Sequence, residues 1–320
     1  MKAAVVFKKG DIPKYVTDFD EPILQNENEL LISVKAAAIK NIDKGQASGK
    51  HYSVKDKEWN PKIIGGDGVG LLDDGTKVYG LATRGMIAEK AIIEKDHMVK
   101  IPEGLDWATA AALPNAVMGS ALALLFRAKL QRGETVLING ATGVTGKIAV
   151  QIAKHYGAKK VIVTGRNEQS LNELLQLGAD EIISLKQDDE KFISQIKETP
   201  IDVVIDYLWG LSAELILSSL KGNSQFSHRT RYVTVGAMTG DTITLSSSIL
   251  RGTDIQISGS GLGSWTREEV SFLFAEILPE AFQLAADGNL KIETIDVNLN
   301  EIEEVWKMDI ERGKRLVVNI

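Results

Sequence analysis

The sequence contains no cysteine. Disulfides are excluded, and with them thiolate nucleophiles and thiolate metal ligands. Histidine is sparse: His51, His97, His155 and His228 are the only four, and they form no cluster with ligand spacing. There is no basic excess. The 37 Lys and Arg against 43 Asp and Glu leave a net charge of −6, which argues against a nucleic-acid partner. Long apolar runs are missing too. The longest candidate, residues 116–125, is too short for a bilayer, so no membrane span is expected. Residues 1–7 read as a strand rather than a signal peptide, because no cleavage region follows. A cytoplasmic location is the expectation. No internal repeat and no low-complexity linker interrupts the chain. The remainder, 44% hydrophobic and 25% charged, is ordinary for a globular protein. A length of 320 residues suggests two domains.

What is present is concentrated in one segment, Thr135-Val-Leu-Ile-Asn-Gly-Ala-Thr-Gly-Val-Thr-Gly-Lys-Ile-Ala-Val. It reads as a buried strand, a glycine turn and a helix with a small-residue face. Gly140, Gly143 and Gly146 run G-x-x-G-x-x-G, not the strict G-x-G-x-x-G. Such spacing lets the backbone approach a pyrophosphate and aims helix N–H groups at it. The competing reading is glycines used only for packing. Thr142 and Thr145 offer hydroxyls there, and Gly143 and Val144 offer backbone. The next strand, 160–164, ends in Thr164-Gly165-Arg166-Asn167. An NAD site usually carries Asp or Glu at that point to hold the ribose hydroxyls. Here Gly165 leaves room, and Arg166 supplies a planar cation suited to a 2′-phosphate. NADPH is therefore the expected cofactor. Asn167 either joins that phosphate site or caps the next helix. Lys147 either adds charge to the first turn or points to solvent. Trp209 either covers the cofactor edge or fills the core.

Strand-like segments at 3–7, 29–37, 63–71, 77–79, 89–93 and 98–100 make the first part β-rich. Asp106 can cap a helix starting at Trp107. From residue 135 strands and helices alternate: strand 135–139, helix 147–156, strand 160–164, helix 168–177, strands 181–184 and 202–206, helix 212–220, strands 231–235 and 254–259. That order implies an α/β fold with a doubly wound parallel sheet. A helix over 267–287 and strands over 294–298 and 315–320 suit a return to the first domain. The expected plan is a β-rich domain, 1–112 and 262–320, interrupted by a dinucleotide-binding domain, 113–261. A substrate cleft is expected between them. Val235, Gly236, Gly259 and Ser260 fall at carboxyl ends of strands. Open α/β sheets bind ligands there, so these four are the expected nicotinamide-side contacts.

Several segments, taken in order, carry a family resemblance. They are Val34-Lys-Ala-Ala-Ala-Ile-Lys-Asn-Ile-Asp43 with Ala47-Ser-Gly-Lys-His-Tyr52, Gly65-Gly-Asp-Gly-Val-Gly70, the glycine turn, Leu177-Gly-Ala-Asp180, Arg231-Tyr-Val-Thr-Val-Gly236, Ser258-Gly-Ser-Gly261 and Gly313-Lys-Arg-Leu-Val-Val318. With them the whole chain resembles the medium-chain dehydrogenase/reductases, and more narrowly their zinc-independent quinone oxidoreductase branch. The resemblance implies a Rossmann domain inserted in a GroES-like catalytic domain. It also implies a homo-oligomer, a dimer, formed through the edge of the dinucleotide-domain sheet. It places Asn115 and Met118 near the nicotinamide, each with a plain packing or capping alternative. Lys314 is either an adenosine-phosphate contact or an exposed lysine.

The departures shape the expected chemistry. Zinc enzymes of this superfamily carry a Cys-His pair where this chain has Lys40-Asn41. They carry a His-Glu pair where it has Gly66-Asp67. Asp67 alone does not hold zinc and reads as a turn residue between glycines. Without a metal nothing obvious lowers an alkoxide pKa, so alcohol oxidation is disfavoured. Hydride reduction of quinones or activated α,β-unsaturated carbonyls is the expected activity. Lys40 is the candidate ammonium for the developing oxyanion, and Tyr52 the candidate hydrogen-bond or proton donor. His51 is an alternative to Tyr52, and Asp43 reads as a helix cap or structural acceptor. Two other readings stay open: a zinc-free carbonyl or enoyl-thioester reductase, and a low-turnover NADPH-binding redox sensor.

Overall fold

The computed structural model describes residues 1–49, 51, 54, 59–221, 228–308 and 310–320. Tyr52 lies outside the described residues. The chain divides into two compact units, Met1–Pro114 with Ser271–Ile320, and Asn115–Val270.

The first unit holds β1 (Ala3–Val6), β2 (Lys14–Val16), β3 (Glu29–Ile39), β4 (Lys62–Ile63), β5 (Asp67–Leu71), β6 (Lys77–Ala82) and β7 (Lys90–Lys100). The second holds β8 (Thr135–Asn139), β9 (Lys160–Gly165), β10 (Glu181–Ser184), β11 (Val203–Asp206), β12 (Thr230–Thr234) and β13 (Ile255–Gly259). Two late strands, β14 (Glu293–Asn298) and β15 (Lys314–Asn319), return to the first unit. Its larger sheet runs β14-β15-β3-β5-β6-β7, and β3 pairs with β7 as well as β5. The circuit β3-β5-β6-β7 thus closes on itself, which removes sheet edges. Ile32, Val34, Ile87 and Ile93 fill its core. The expected strand over 63–71 is two strands instead. Gly65, at φ +92, adopts the left-handed backbone that turns the chain between β4 and β5. The expected strands 89–93 and 98–100 are one, β7. Its first half pairs with β3 and its second half with β6.

In the second unit the sheet order is β10-β9-β8-β11-β12-β13, with every pairing parallel. The inner strands β8 and β11 are buried on both faces, as their unbroken apolar runs require. The chain reverses its direction of travel across the sheet between β8 and β11, which is the topological switch point.

The helices begin with α1 (Asn41–Ala47) and α2 (Trp107–Leu122), the latter extended by a π-turn, Ala123–Arg127. In the second unit follow α3 (Val144–His155), α4 (Glu168–Gln176), α5 (Asp189–Lys197), α6 (Gly210–Ser219) and α7 (Ser247–Gly252). Asp106 caps α2 by accepting from Thr109 N at 2.8 Å. Residues 107–127 correct the expectation from run length. By length and a mean hydropathy of 1.5 this one helix is apolar enough to cross a membrane. Asn115 bounds the apolar run 116–125 in sequence, but the helix runs through it. It is a core helix, 72% of its apolar window being buried inside the protein.

The division between units falls inside α2, after Pro114. The second division falls at Val270–Ser271, later than position 261. An ion pair holds this stretch. Arg127 donates to both carboxylate oxygens of Glu269, at 2.7 and 2.6 Å, and to the Ser264 carbonyl at 2.5 Å. Residues 264–269 are thereby tied to the dinucleotide unit.

Candidate functional site

The glycine turn joins β8 to α3, and its three glycines have different reasons. Gly140 sits at φ +84, and a Cβ there would lie 2.6 Å from the Leu208 side chain. A Cβ on Gly146 would lie 2.5 Å from Ala141 Cα. Both glycines are therefore required by packing. Gly143 is different. It is exposed, and a Cβ on it would meet only the Gly140 carbonyl, at 4.0 Å. Among the described residues none stands close enough to require glycine there. Gly143 is also the N-cap of α3, and it supplies no side-chain cap. By contrast Asn167, Asp188 and Ser246 cap α4, α5 and α7. The first-turn N–H groups of α3 thus lack a side-chain cap of the kind α4, α5 and α7 use, the arrangement that binds phosphate. Gly143→Ala should keep the wild-type melting temperature while weakening dinucleotide binding. Gly146→Ala should lower the melting temperature by several degrees, since backbone must move. Differential scanning fluorimetry with and without dinucleotide separates the two effects.

The neighbouring residues sort themselves by contact. Thr142 packs its methyl against Gly165, where a Cβ would come within 2.6 Å. The space beside Gly165 is therefore filled by Thr142 and Leu171 rather than left open. Thr145 faces Gly119 of α2, 3.1 Å from a Cβ placed there. The Thr164 hydroxyl donates to Asn139 Oδ1 at 2.6 Å and accepts from Gly140 N at 3.1 Å. It shapes the turn from within. Val144 opens α3. Arg166, just past β9, is exposed, and among the described residues it has no ion-pair or hydrogen-bond partner. Asn167 accepts from Ser170 N at 2.9 Å, so it is a cap. Lys147 is buried and pairs with Glu173 at 3.2 Å instead of pointing to solvent.

Farther along the same carboxyl edge, Val235 N donates to the Asp206 carbonyl at 2.7 Å. A Cβ on Gly236 would lie 2.7 Å from the Tyr207 carbonyl. Gly259 is exposed. Ser260 is buried and accepts from Trp265 Nε1 at 3.0 Å. Asn115 is half-buried in α2, and Met118 is buried. In the other unit Lys314 pairs with Glu311 at 2.8 Å.

The first unit contains a buried cluster of charge. Lys40 precedes α1 and is 3% exposed. Its backbone N–H donates to Asp43 Oδ2 at 2.8 Å. Its ammonium is ion-paired with Asp67, and Asp43 Oδ2 lies 3.4 Å away. Asp67 Oδ2 accepts from the Tyr79 hydroxyl at 2.8 Å, and Asp43 Oδ1 from Gly66 N at 3.1 Å. Arg315 of β15 is buried beside them and acts electrostatically on both carboxylates. Two cations thus face two anions. Burial works against the Lys40 ammonium, but the charges of Asp43 and Asp67 outweigh it and hold its pKa above the ordinary value. Burial, then the Asp67 charge, holds the Tyr79 phenol well above its usual range. Asp67 is not the turn residue its glycine neighbours suggest: it begins β5 and is buried. Asp43 is a structural acceptor, as read. His51 is half-buried near Gly45.

Tyr79, Arg315, Asn139 and Asp206 escaped the sequence reading. The available signal was a polar or charged residue within or at the end of an apolar strand, where burial demands a partner.

Residues 144–278 match the family described as zinc-binding dehydrogenase. A quinone oxidoreductase of Sus scrofa is 32% identical over 87% of this chain and 85% of that protein. The quinone oxidoreductase of Thermus thermophilus, solved also in complex with NADPH, is 25% identical, with TM-score 0.78 and full coverage of both chains. A mycobacterial quinone oxidoreductase shares the fold at TM-score 0.83 and 22% identity, again over both whole chains. Where the family resemblance places zinc ligands, the Lys40 ammonium, which is no ligand, is paired with Asp67. Among the described residues no three His, Cys, Asp or Glu converge to hold a metal.

Proposed function

Since the chain belongs to the quinone oxidoreductase branch of the medium-chain dehydrogenase/reductases, we propose that it reduces quinones or activated α,β-unsaturated carbonyls with NADPH, without zinc. The observation that carries this reading is the exposed Arg166 at the end of β9, without a partner among the described residues. An acidic residue there would favour the free ribose hydroxyls, whereas a free guanidinium favours a 2′-phosphate. Gly143 and the first turn of α3 fit the pyrophosphate. Val235, Gly236, Gly259 and Ser260, at the ends of β12 and β13, fit the nicotinamide side, with Asn115 as a further contact.

When bound, NADPH supplies the hydride. The acceptor takes up the hydride and one proton, and negative charge develops on its oxygen. Lys40 is the fixed cation assigned to that charge. Flanked by two carboxylates, it works as an electrostatic stabiliser rather than as a proton source. Tyr52 keeps the proton-donor role from the sequence pattern alone. We also assign a cytoplasmic dimer, for which an edge of the dinucleotide-domain sheet, bounded by β10 and β13, is the seam.

The test is NADPH oxidation by chelator-treated protein with an ortho-quinone, a simple enone or no acceptor. Acceptor-dependent turnover that survives chelation is expected. Turnover that needs added zinc, or an absence of turnover with both acceptors in protein that binds NADPH, contradicts the proposal.

A further inference from the structure

Asp206 ends β11 at the carboxyl edge of the sheet and has no exposed surface. Among the described residues no cation pairs with it. Its carboxylate is held by hydrogen bonds instead. Oδ1 accepts from Asn139 Nδ2 at 2.7 Å, Leu208 N at 2.8 Å and Trp209 N at 3.1 Å. Oδ2 accepts from the Tyr232 hydroxyl at 2.6 Å. Burial, followed by the Asp206 charge, holds the Tyr232 phenol well above its usual range, so it remains a donor.

Two chains of contacts leave this one carboxylate. The first crosses the switch point. Asn139 is bound to Asp206, the Thr164 hydroxyl to Asn139, and Gly140 N to Thr164. Strands β12, β11, β8 and β9 are thereby linked at the glycine turn. The second shapes residues 207–210. It sets Leu208, whose side chain lies where a Gly140 Cβ would stand. It also fixes Trp209 at φ 58, ψ −154, a region nearly confined to glycine. A bulky residue persists there only where its surroundings over-determine it. They do: the hydroxyls of Ser212 and Thr239 donate to the Trp209 carbonyl at 3.2 and 3.0 Å, while Asp206 holds its N–H.

We propose that Asp206 is a positioning residue for the dinucleotide, setting from one buried point both the glycine turn and the 207–210 segment that packs on it. This rests on the NADPH reading above. It explains why a fully buried acidic side chain stands at the switch point with no cation partner among the described residues, and why backbone strain is tolerated beside it. Trp209 packs edge-on to Tyr232, ring centroids 6.2 Å apart, so its emission reports on the same segment.

The experiment titrates NADPH into wild type, Asp206→Asn, Tyr232→Phe and Ile216→Val, following tryptophan emission well below each melting temperature. Asp206→Asn keeps the size but sets an amide N–H₂ among donors. Its NADPH dissociation constant should rise roughly tenfold or more, the scale of losing one charge-assisted hydrogen bond. The rise should recur in KM for NADPH and exceed any fall in kcat. Tyr232→Phe should show a smaller rise. Ile216→Val, a core change in the same unit, should lower stability with no change in NADPH binding. A folded Asp206→Asn that binds like wild type overturns the proposal. If Asp206→Asn does not fold, an unchanged affinity in Tyr232→Phe overturns it. Wild type that fails to bind NADPH refutes the functional reading instead, which keeps the two failures distinct.

Discussion

Arg166→Ala should lose NADPH affinity by roughly ten- to a hundredfold, with NADH affinity unchanged within about twofold. The magnitude is that of hydrogen bonds to a charged group, about 1.5–3 kcal/mol. The direction follows from the surroundings of Arg166. It is exposed, and among the described residues no carboxylate or hydrogen-bond partner engages it. Stability should therefore be unaltered, and the loss should shrink at high salt as screening grows. Neighbouring groups do not substitute for it: Asn167 is committed to Ser170 N and Lys147 to Glu173. Calorimetric titration of both cofactors into both proteins checks the effect. Equal losses for NADPH and NADH would remove Arg166 from the phosphate.

Lys40→Met should destabilise the protein by about 3–5 kcal/mol, because it leaves a buried carboxylate without its partner. Asp67→Asn should also destabilise the protein, leaving the buried ammonium with Asp43 alone. The double variant should cost less than either single change. It leaves Asp43 balanced by Arg315 and gives Tyr79 an amide oxygen in place of the carboxylate. Urea unfolding of the four proteins measures this coupling. Activity should not follow stability. If Lys40 provides the fixed charge for the acceptor oxygen, kcat should fall about a hundredfold in Lys40→Met and in the double variant alike. A double variant with restored stability and wild-type kcat would make the ammonium structural only.

How far these features were legible differs by kind. The run from Thr135 to Arg166 was readable because its causes are local. Strands buried on both faces give continuous apolar runs, and a turn with φ > 0 asks for glycine. The element β7 was misread as two strands because Glu94-Lys-Asp-His97 looks like a loop. Those residues sit on a half-exposed strand that changes partner midway. The break at Gly65 was missed for the opposite reason: apolar neighbours hid a turn. The pairing within the charged cluster had no signature, although each member is a polar or charged residue in or beside an apolar strand. Lys40 and Asp67 are 27 positions apart, Arg315 is in the last strand, and no spacing rule links them. Glycine identity was visible at 140, 143 and 146, but that packing requires 140 and 146 and not 143 emerged only from what each Cβ would touch. The strain at Trp209 is likewise a property of the backbone, invisible in the letter.

The most direct test of the central claim is a single-turnover experiment at equal NADPH and NADH concentrations, with a saturating ortho-quinone and metal-free protein. The account predicts stoichiometric oxidation of NADPH, dependent on both protein and quinone, and much slower oxidation of NADH. Equal rates with the two cofactors, or no oxidation of bound NADPH by any quinone, would contradict it.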